Sequence, residues 1–318
     1  IMNGVGDVLL TGPDAEVVGS IAELTGVRLG DPGRVGRLLA ARRRPGLPDD
    51  GRLMIIACDH PARGSLSALG RPAAMADRSE LLARLTTALS RPGVDGVLAT
   101  ADIIEDLVLL GACQDKIIFG SMNRGGLAGA AFEADDRMTG YDPAGIIEGG
   151  LDGGKMLLRI ALDDHGTVDT LQACAAAVND LNRAGRIALL EPFLSKRGAG
   201  GRLVNDLTPE AVITSIAVAQ GLGASSAYTW LKLPVTERMA EVAAATTLPT
   251  LLLGGDPIED ADDTYASWQA ALALPPVRGL MVGRSLLYPR DDDVAAAVDT
   301  AAAMVHPSVS VARKEISA

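Results

Sequence analysis

Five ionisable residues lie within or at the ends of short apolar runs, where an unpaired charge is costly: Asp59 and His60 after LMIIAC, Lys155 in KMLLRIAL, Glu191 in RIALLEPF and Lys232 in AYTWLKL. Lys232 is flanked by Trp230, Leu231, Leu233 and Pro234, so it does not belong to an exposed surface. A lysine pointing into a core beside a second cation, Lys155, is driven toward the neutral amine. That form attacks a ketone or aldehyde to make a Schiff base. Glu191, carried on a run between those of the two lysines, has the place to relay protons during carbinolamine formation, dehydration and carbon–carbon cleavage. The expected catalytic set is Lys232, Glu191, Lys155 and Asp59. The competing reading is a Lys–Glu–Lys network that merely holds the core, which desolvation makes uncommon without a role. His60 is either a loop cap or a substrate contact.

A second pattern sits near the end of the chain. Gly254 and Gly255 close one apolar run, and Gly283 and Arg284 close the next. Glycines let backbone N–H groups approach a phosphate, and an arginine adds a bidentate cation. We expect Gly254, Gly255, Gly283 and Arg284, with His60, to bind substrate and its phosphate, and Ser285 to offer a hydroxyl.

These residues need a scaffold that brings run ends together. From residue 51 onward eight runs recur: 53–59, 95–100, 116–120, 155–162, 186–193, 227–233, 249–255 and 278–284. They are continuously apolar, as parallel strands covered on both faces should be. Helical patterns lie between them, including 77–90, 101–111, 166–184, 208–222, 234–246, 261–274 and 291–304. Thr208-Pro209-Glu210 reads as a helix start, with a cap, a proline in the first turn and an acidic residue. Eight βα repeats over about 250 residues match a (β/α)8 TIM barrel of the α/β class. A doubly wound open sheet is the rival, but CDHPARGS after the first run is not its glycine-rich turn. In the barrel, sites form at the C-terminal ends of strands, and phosphate sits after strands seven and eight.

Residues 1–50 read as an N-terminal helical extension, 51–305 as the barrel catalytic domain and 306–318 as a C-terminal tail. The extension has helical patterns at about 14–25 and 33–42, then Arg42-Arg43-Arg44, read as a solvated helix end or as a cap or oligomer contact. The glycine-rich segment 194–206, with Lys196, Arg197 and Arg202, is either a lid or a solvated loop. Ser121, Asn123 and Arg124, after the third strand, are further candidates for substrate contact.

Composition narrows the class. The chain of 318 residues carries a net charge of −11 and only 3% aromatics, which disfavours nucleic acid as a partner. Cys58, Cys113 and Cys174 lack a metal or redox spacing and read as reduced thiols, with Cys58 in the core. No apolar run is long enough to span a membrane. The first residues lack the layout of a signal peptide, so a cytoplasmic location is expected. His60, His165 and His306 are too scattered for a zinc site. We expect no metal, no cofactor and no membrane partner.

The same residues carry a resemblance. Asp59-His60, GGKMLLRI, LLEPF, WLKLP, LLLGGD and LMVGRSLL resemble the class I (Schiff-base) aldolase superfamily over about 51–290. It includes archaeal-type fructose-bisphosphate, tagatose-bisphosphate and deoxyribose-phosphate aldolases. The resemblance implies a barrel with Lys232 as the Schiff-base lysine, phosphate on the last two strand-end loops, and places for Asp59, Lys155 and Glu191 in the same site. It departs from deoxyribose-phosphate aldolase, whose second lysine on strand seven is missing from LLLGGD. The chain is also similar to an actinobacterial branch of barrel proteins associated with inositol catabolism. That implies cleavage of 5-dehydro-2-deoxygluconate 6-phosphate. The expected partner is a small phosphorylated sugar, and the expected assembly a homo-oligomer. The rival functions are a sugar-phosphate isomerase or epimerase with Glu191 as base, and a non-catalytic sugar-phosphate-binding protein.

Overall fold

The computed structural model describes residues 17–254 and 261–307. Its strands are β1 (Leu53–Cys58), β2 (Gly96–Ala99), β3 (Ile117–Ser121), β4 (Gly153–Ile160), β5 (Ile187–Arg197), β6 (Leu203–Asn205), β7 (Thr229–Leu233), β8 (Thr250–Leu253) and β9 (Val277–Val282). All except β6 pair in parallel, and the order runs β1-β2-β3-β4-β5-β7-β8-β9 before β9 returns to β1. The sheet is therefore a closed barrel of eight parallel strands. The expected (β/α)8 architecture is the one observed.

Strand parity explains why the runs are continuously apolar. Leu53, Ile55 and Ala57 join Leu98, Phe119, Leu189, Trp230, Leu251 and Met281 in one buried cluster, the barrel interior. Met54, Ile56 and Cys58 belong to the larger cluster between strands and helices. Each strand therefore buries both faces. Closure also demands close approach. Gly279 in β9 has φ of +137°, and a Cβ there would lie 1.9 Å from the Leu53 carbonyl oxygen, so only glycine fits.

The outer helices are α1 (Leu24–Gly30), α2 (Gly33–Ala41), α3 (Arg78–Leu89), α4 (Ala101–Leu109), α5 (Pro143–Glu148), α6 (Gly166–Arg183), α7 (Pro209–Gln220), α8 (Met239–Ala244), α9 (Ala261–Leu272), α10 (Arg284–Leu287) and α11 (Val294–Val305). Thr208 caps α7 by accepting the Ala211 N–H, with Pro209 in the first turn, as its sequence predicts. None of the described helices is long and apolar enough to cross a membrane.

Within Arg42-Arg43-Arg44, Arg42 does not project into solvent. The Arg42 guanidinium is buried and donates to the Lys116 and Gly150 carbonyls, at 2.5 and 3.0 Å. Arg43 pairs with Asp115 and Arg44 with Asp152. These partners precede β3 and β4, so the patch caps the N-terminal end of the barrel, away from the strand ends that form sites. The segment read as either a lid or a solvated loop carries regular structure. Residues 195–197 and 203–205 pair antiparallel as a hairpin, with Ser195 opposite Asn205 and Arg197 opposite Leu203.

Candidate active site

The apolar barrel interior ends in a polar layer. Asp59 follows β1, Ser121 ends β3, and Lys155, Glu191 and Lys232 lie on β4, β5 and β7. Inward parity, shared with Phe119, Leu189 and Trp230, brings four side chains into one buried row. Lys155 Nζ lies 3.1 Å from Asp59 Oδ2 and pairs with Glu191 Oε2. Glu191 turns its other oxygen, Oε1, to Lys232 Nζ at 2.9 Å. The row is therefore Asp59–Lys155–Glu191–Lys232. All four predicted catalytic residues meet in it.

Its electrostatics follow from burial opposed by pairing. Burial alone would favour a protonated Asp59, but Arg124 and Lys155 outweigh it and hold the carboxyl well below the ordinary range. Burial also works to raise Glu191, and the two lysines hold it down at about 2. For Lys155 burial dominates, aided by Arg124, and lowers the ammonium to about 8 despite Asp59 and Glu191. Burial thus draws Lys155 toward the neutral amine. It is fully buried, and its partners are Glu191 and Asp59 rather than solvent.

Of the residues after β3, Ser121 Oγ donates to Asp59 Oδ2 at 2.9 Å and accepts from Arg124 Nε at 3.1 Å. Arg124 also pairs directly with Asp59. Both position the row. Asn123 is a correction to its reading as a substrate contact. Its Nδ2 donates to the carbonyls of Asp136 and Leu157, and its Oδ1 accepts the Leu157 N–H, so it fastens the β3 loop to β4 with both amide protons already spent.

The glycine pattern falls at the ends of β8 and β9, between β7 and β1 in the barrel. Gly254 follows β8, and a Cβ there would sit 2.5 Å from Val282 Cγ1 and 3.3 Å from Ser285 Oγ. Gly283 joins β9 to α10, and a Cβ there would lie 2.0 Å from the Ala57 carbonyl oxygen. Arg284 Nη1 donates to the Ser67 carbonyl at 3.4 Å. Gly255 lies outside the described residues. Three buried polar atoms at these strand ends have no hydrogen-bond partner among the described residues: Asp59 Oδ1, His60 Nδ1 and Ser285 Oγ. Burial takes the His60 imidazole down to about 3, against the pull of Asp59. A neutral imidazole and an unpartnered hydroxyl beside an arginine suit a ligand's polar end.

Sequence reasoning missed a further cluster. Arg159, four residues beyond Lys155 on β4, is buried and binds both oxygens of Asp136, at 2.6 and 2.7 Å. It also reaches Glu133 at 3.4 Å. Arg63, just after β1, approaches the same Glu133 oxygen at 3.5 Å. The inward parity of 155, 157 and 159 was the available signal. Two of the three cations of the 194–206 segment are engaged as well. Arg197 pairs with Asp164 at 2.5 Å and donates to the Ala131 carbonyl, while Lys196 pairs with Asp206.

A family model described as Cgl0159-like matches residues 51–302. The crystal structure of Cgl0159 from Corynebacterium glutamicum is 54% identical in sequence, with a TM-score of 0.89 over 92% of this chain and 99% of that one. An archaeal fructose 1,6-bisphosphate aldolase has 17% identity and a TM-score of 0.61, covering 86% of this chain and 99% of its own. A Schiff-base-forming fructose-1,6-bisphosphate aldolase has 18% identity and a TM-score of 0.60, covering 86% and 100%. At such identities the likeness to both aldolases is one of fold. No curated protein sequence matches the chain.

Proposed function

The chain belongs to the Cgl0159-like family, and we propose that it is a class I aldolase, cleaving a phosphorylated keto sugar or sugar acid through an imine on Lys232. The observation that carries this reading is the bridge made by Glu191 between Lys232 and Lys155 in a buried row. A structural salt bridge needs one carboxylate and one cation. With Arg124 on Asp59, the row sets three buried cations against two carboxylates, and a surplus cation next to unpartnered polar atoms is costly unless it has chemistry to do.

In this mechanism Lys232 gives a proton to Glu191 and its free amine attacks the substrate carbonyl carbon. The carbonyl oxygen takes that proton to form a carbinolamine, which loses water to leave the iminium. A carboxylate, Glu191 or Asp59, removes the proton of the hydroxyl one carbon beyond the bond to be broken. That bond's electrons flow into the iminium, the aldehyde product departs, and an enamine remains. Protonation of the enamine carbon and hydrolysis of the imine release the second product. Lys155, poised near neutrality, restores the proton on Glu191. The glycine turns at Gly254 and Gly283, with Arg284, Ser285 and His60, hold the phosphate at the β8–β9 side.

Among sugar acids, 5-dehydro-2-deoxygluconate 6-phosphate is the substrate to test first. The reaction class is tested by reductive trapping. Dihydroxyacetone phosphate with borohydride should give a covalent adduct on Lys232, whereas an isomerase using Glu191 as base, or a binding protein, forms none.

A further inference from the structure

The walls of the barrel mouth are not alike in charge. Over β1, β3 and β4, three guanidinium groups meet three carboxylates. Arg124 is held by Asp59, and Arg159 by both oxygens of Asp136. Arg63 is the one left poorly matched. Its carboxylate contact, to Glu133 Oε1, is 3.5 Å long, and that oxygen also serves Arg159 at 3.4 Å. The other Glu133 oxygen accepts the Leu203 N–H at 3.1 Å. Arg63 Nε donates to the Gly126 carbonyl at 3.2 Å, an acceptor shared with Arg159 at 3.0 Å. Its Nη1 has no hydrogen bond or ion pair among the described residues.

Arg63 is also in a field that favours another anion. Its side chain is 19% exposed, and burial with the charges of Arg159 and Arg124 lowers the guanidinium to about 10. A planar fork that is not fully enclosed and has a free edge matches a carboxylate by two parallel hydrogen bonds. A phosphate dianion would call for further cations, and Arg124 and Arg159 are already committed. The phosphate has its own place after β8 and β9, at Gly254, Gly283 and Arg284, whereas the Arg63 guanidinium leans away onto Gly126 and Glu133 of the segment after β3.

We propose that Arg63 binds a carboxylate at the end of the substrate remote from its phosphate, making the substrate class a keto-sugar acid that carries a single phosphate. This rests on the aldolase reading above, and it selects between the sugar and sugar-acid alternatives. In the condensation direction, the donor is dihydroxyacetone phosphate and the acceptor aldehyde brings the remote end.

The test is the rate of condensation with three acceptors: succinate semialdehyde, which ends in a carboxylate, butanal, which is neutral, and glyceraldehyde 3-phosphate. The wild-type kcat/KM should favour succinate semialdehyde over butanal by about 10- to 100-fold, the worth of one charge-assisted hydrogen-bonding group. Arg63→Gln should abolish most of that preference, through KM for the acid acceptor, and Arg63→Lys should keep part of it. Equal wild-type rates with the acid and neutral acceptors would overturn the assignment. So would a preference for glyceraldehyde 3-phosphate over both, or a preference unaltered in Arg63→Gln. Borohydride trapping of the donor alone, run in parallel on the wild type, separates the two levels. An adduct without acceptor preference rejects only the carboxylate site. No adduct rejects the aldolase reading and this inference with it.

Discussion

Glu191 Oε1 lies 2.9 Å from Lys232 Nζ, while the other oxygen of the same carboxylate pairs with Lys155. One acid thus spans two amines. Glu191→Gln preserves the shape of that bridge and removes its capacity to accept a proton. We predict a fall in kcat for cleavage of about 10²- to 10⁴-fold, the usual worth of a positioned acid–base group. Steady-state kinetics check this. A loss confined to KM would assign Glu191 to substrate binding instead.

On the aldolase reading, Lys155 should give the activity an alkaline limb. Burial brings its ammonium down to about 8, so above that pH the charge that keeps Glu191 and Asp59 ionised is lost. The kcat/KM profile should decline as pH rises through about 8. In Lys155→Met that limb should disappear together with most of the activity. A wild-type profile that stays flat to pH 9.5 would show that Lys155 does not set it.

The phosphate corner predicts a loss of affinity without a comparable loss of chemistry. Arg284→Met should raise KM for a phosphorylated donor by about 10- to 100-fold, the cost of one charge-assisted contact, with kcat far less affected. Gly283→Ala should do more. Its methyl would meet the Ala57 carbonyl oxygen at 2.0 Å, forcing the β9–α10 turn away from β1, so KM should rise and the melting temperature fall. Unchanged KM in both variants would remove the phosphate from this corner.

At the opposite end of the barrel, His306 ties the end of α11 to the strand entries. Its ring nitrogens lie 2.6 Å from Asp50 and 2.8 Å from Asp95, and Asp95 also accepts the Met54 N–H. The hydrogen bond with Asp95, opposed by burial and aided by Asp50, raises the imidazole above its ordinary 6.5. A raised histidine contributes stability that is whole below about pH 6.5 and is lost as pH climbs through the higher folded value. Unfolding midpoints should therefore fall across that window in the wild type, and His306→Ala should flatten this dependence at a cost of about 1–3 kcal/mol at pH 6. An equal slope in the variant would contradict the assignment.

The barrel was legible because strands buried on both faces write unbroken apolar runs, and a charge inside such a run stands out. That is why Lys155, Glu191 and Lys232 are visible in the sequence. Arg159 shares the strand and the parity of Lys155 but is hidden by its partners. Asp136 and Glu133 come from the irregular segment between β3 and α5, which takes its form from contacts such as those of Asn123 with Leu157, and no local pattern encodes these. The 195–205 hairpin escaped for a related reason. Gly198, Gly200 and Gly201 resemble a loose loop, while the pairing of β5 with β6 is made by backbone groups of any sequence. Arg42 looks like a solvated helix end until the Lys116 and Gly150 carbonyls, distant along the chain, are brought beneath it.

The central claim is that Lys232 forms an imine with the substrate. Intact-mass spectrometry after borohydride treatment with dihydroxyacetone phosphate tests it most directly, with Lys232→Met alongside. The account predicts one covalent adduct per chain in the wild type, mapped to Lys232 by peptide sequencing, and none in Lys232→Met. An adduct that persists in Lys232→Met, or a wild-type protein that turns over its substrate without ever being trapped, would contradict it.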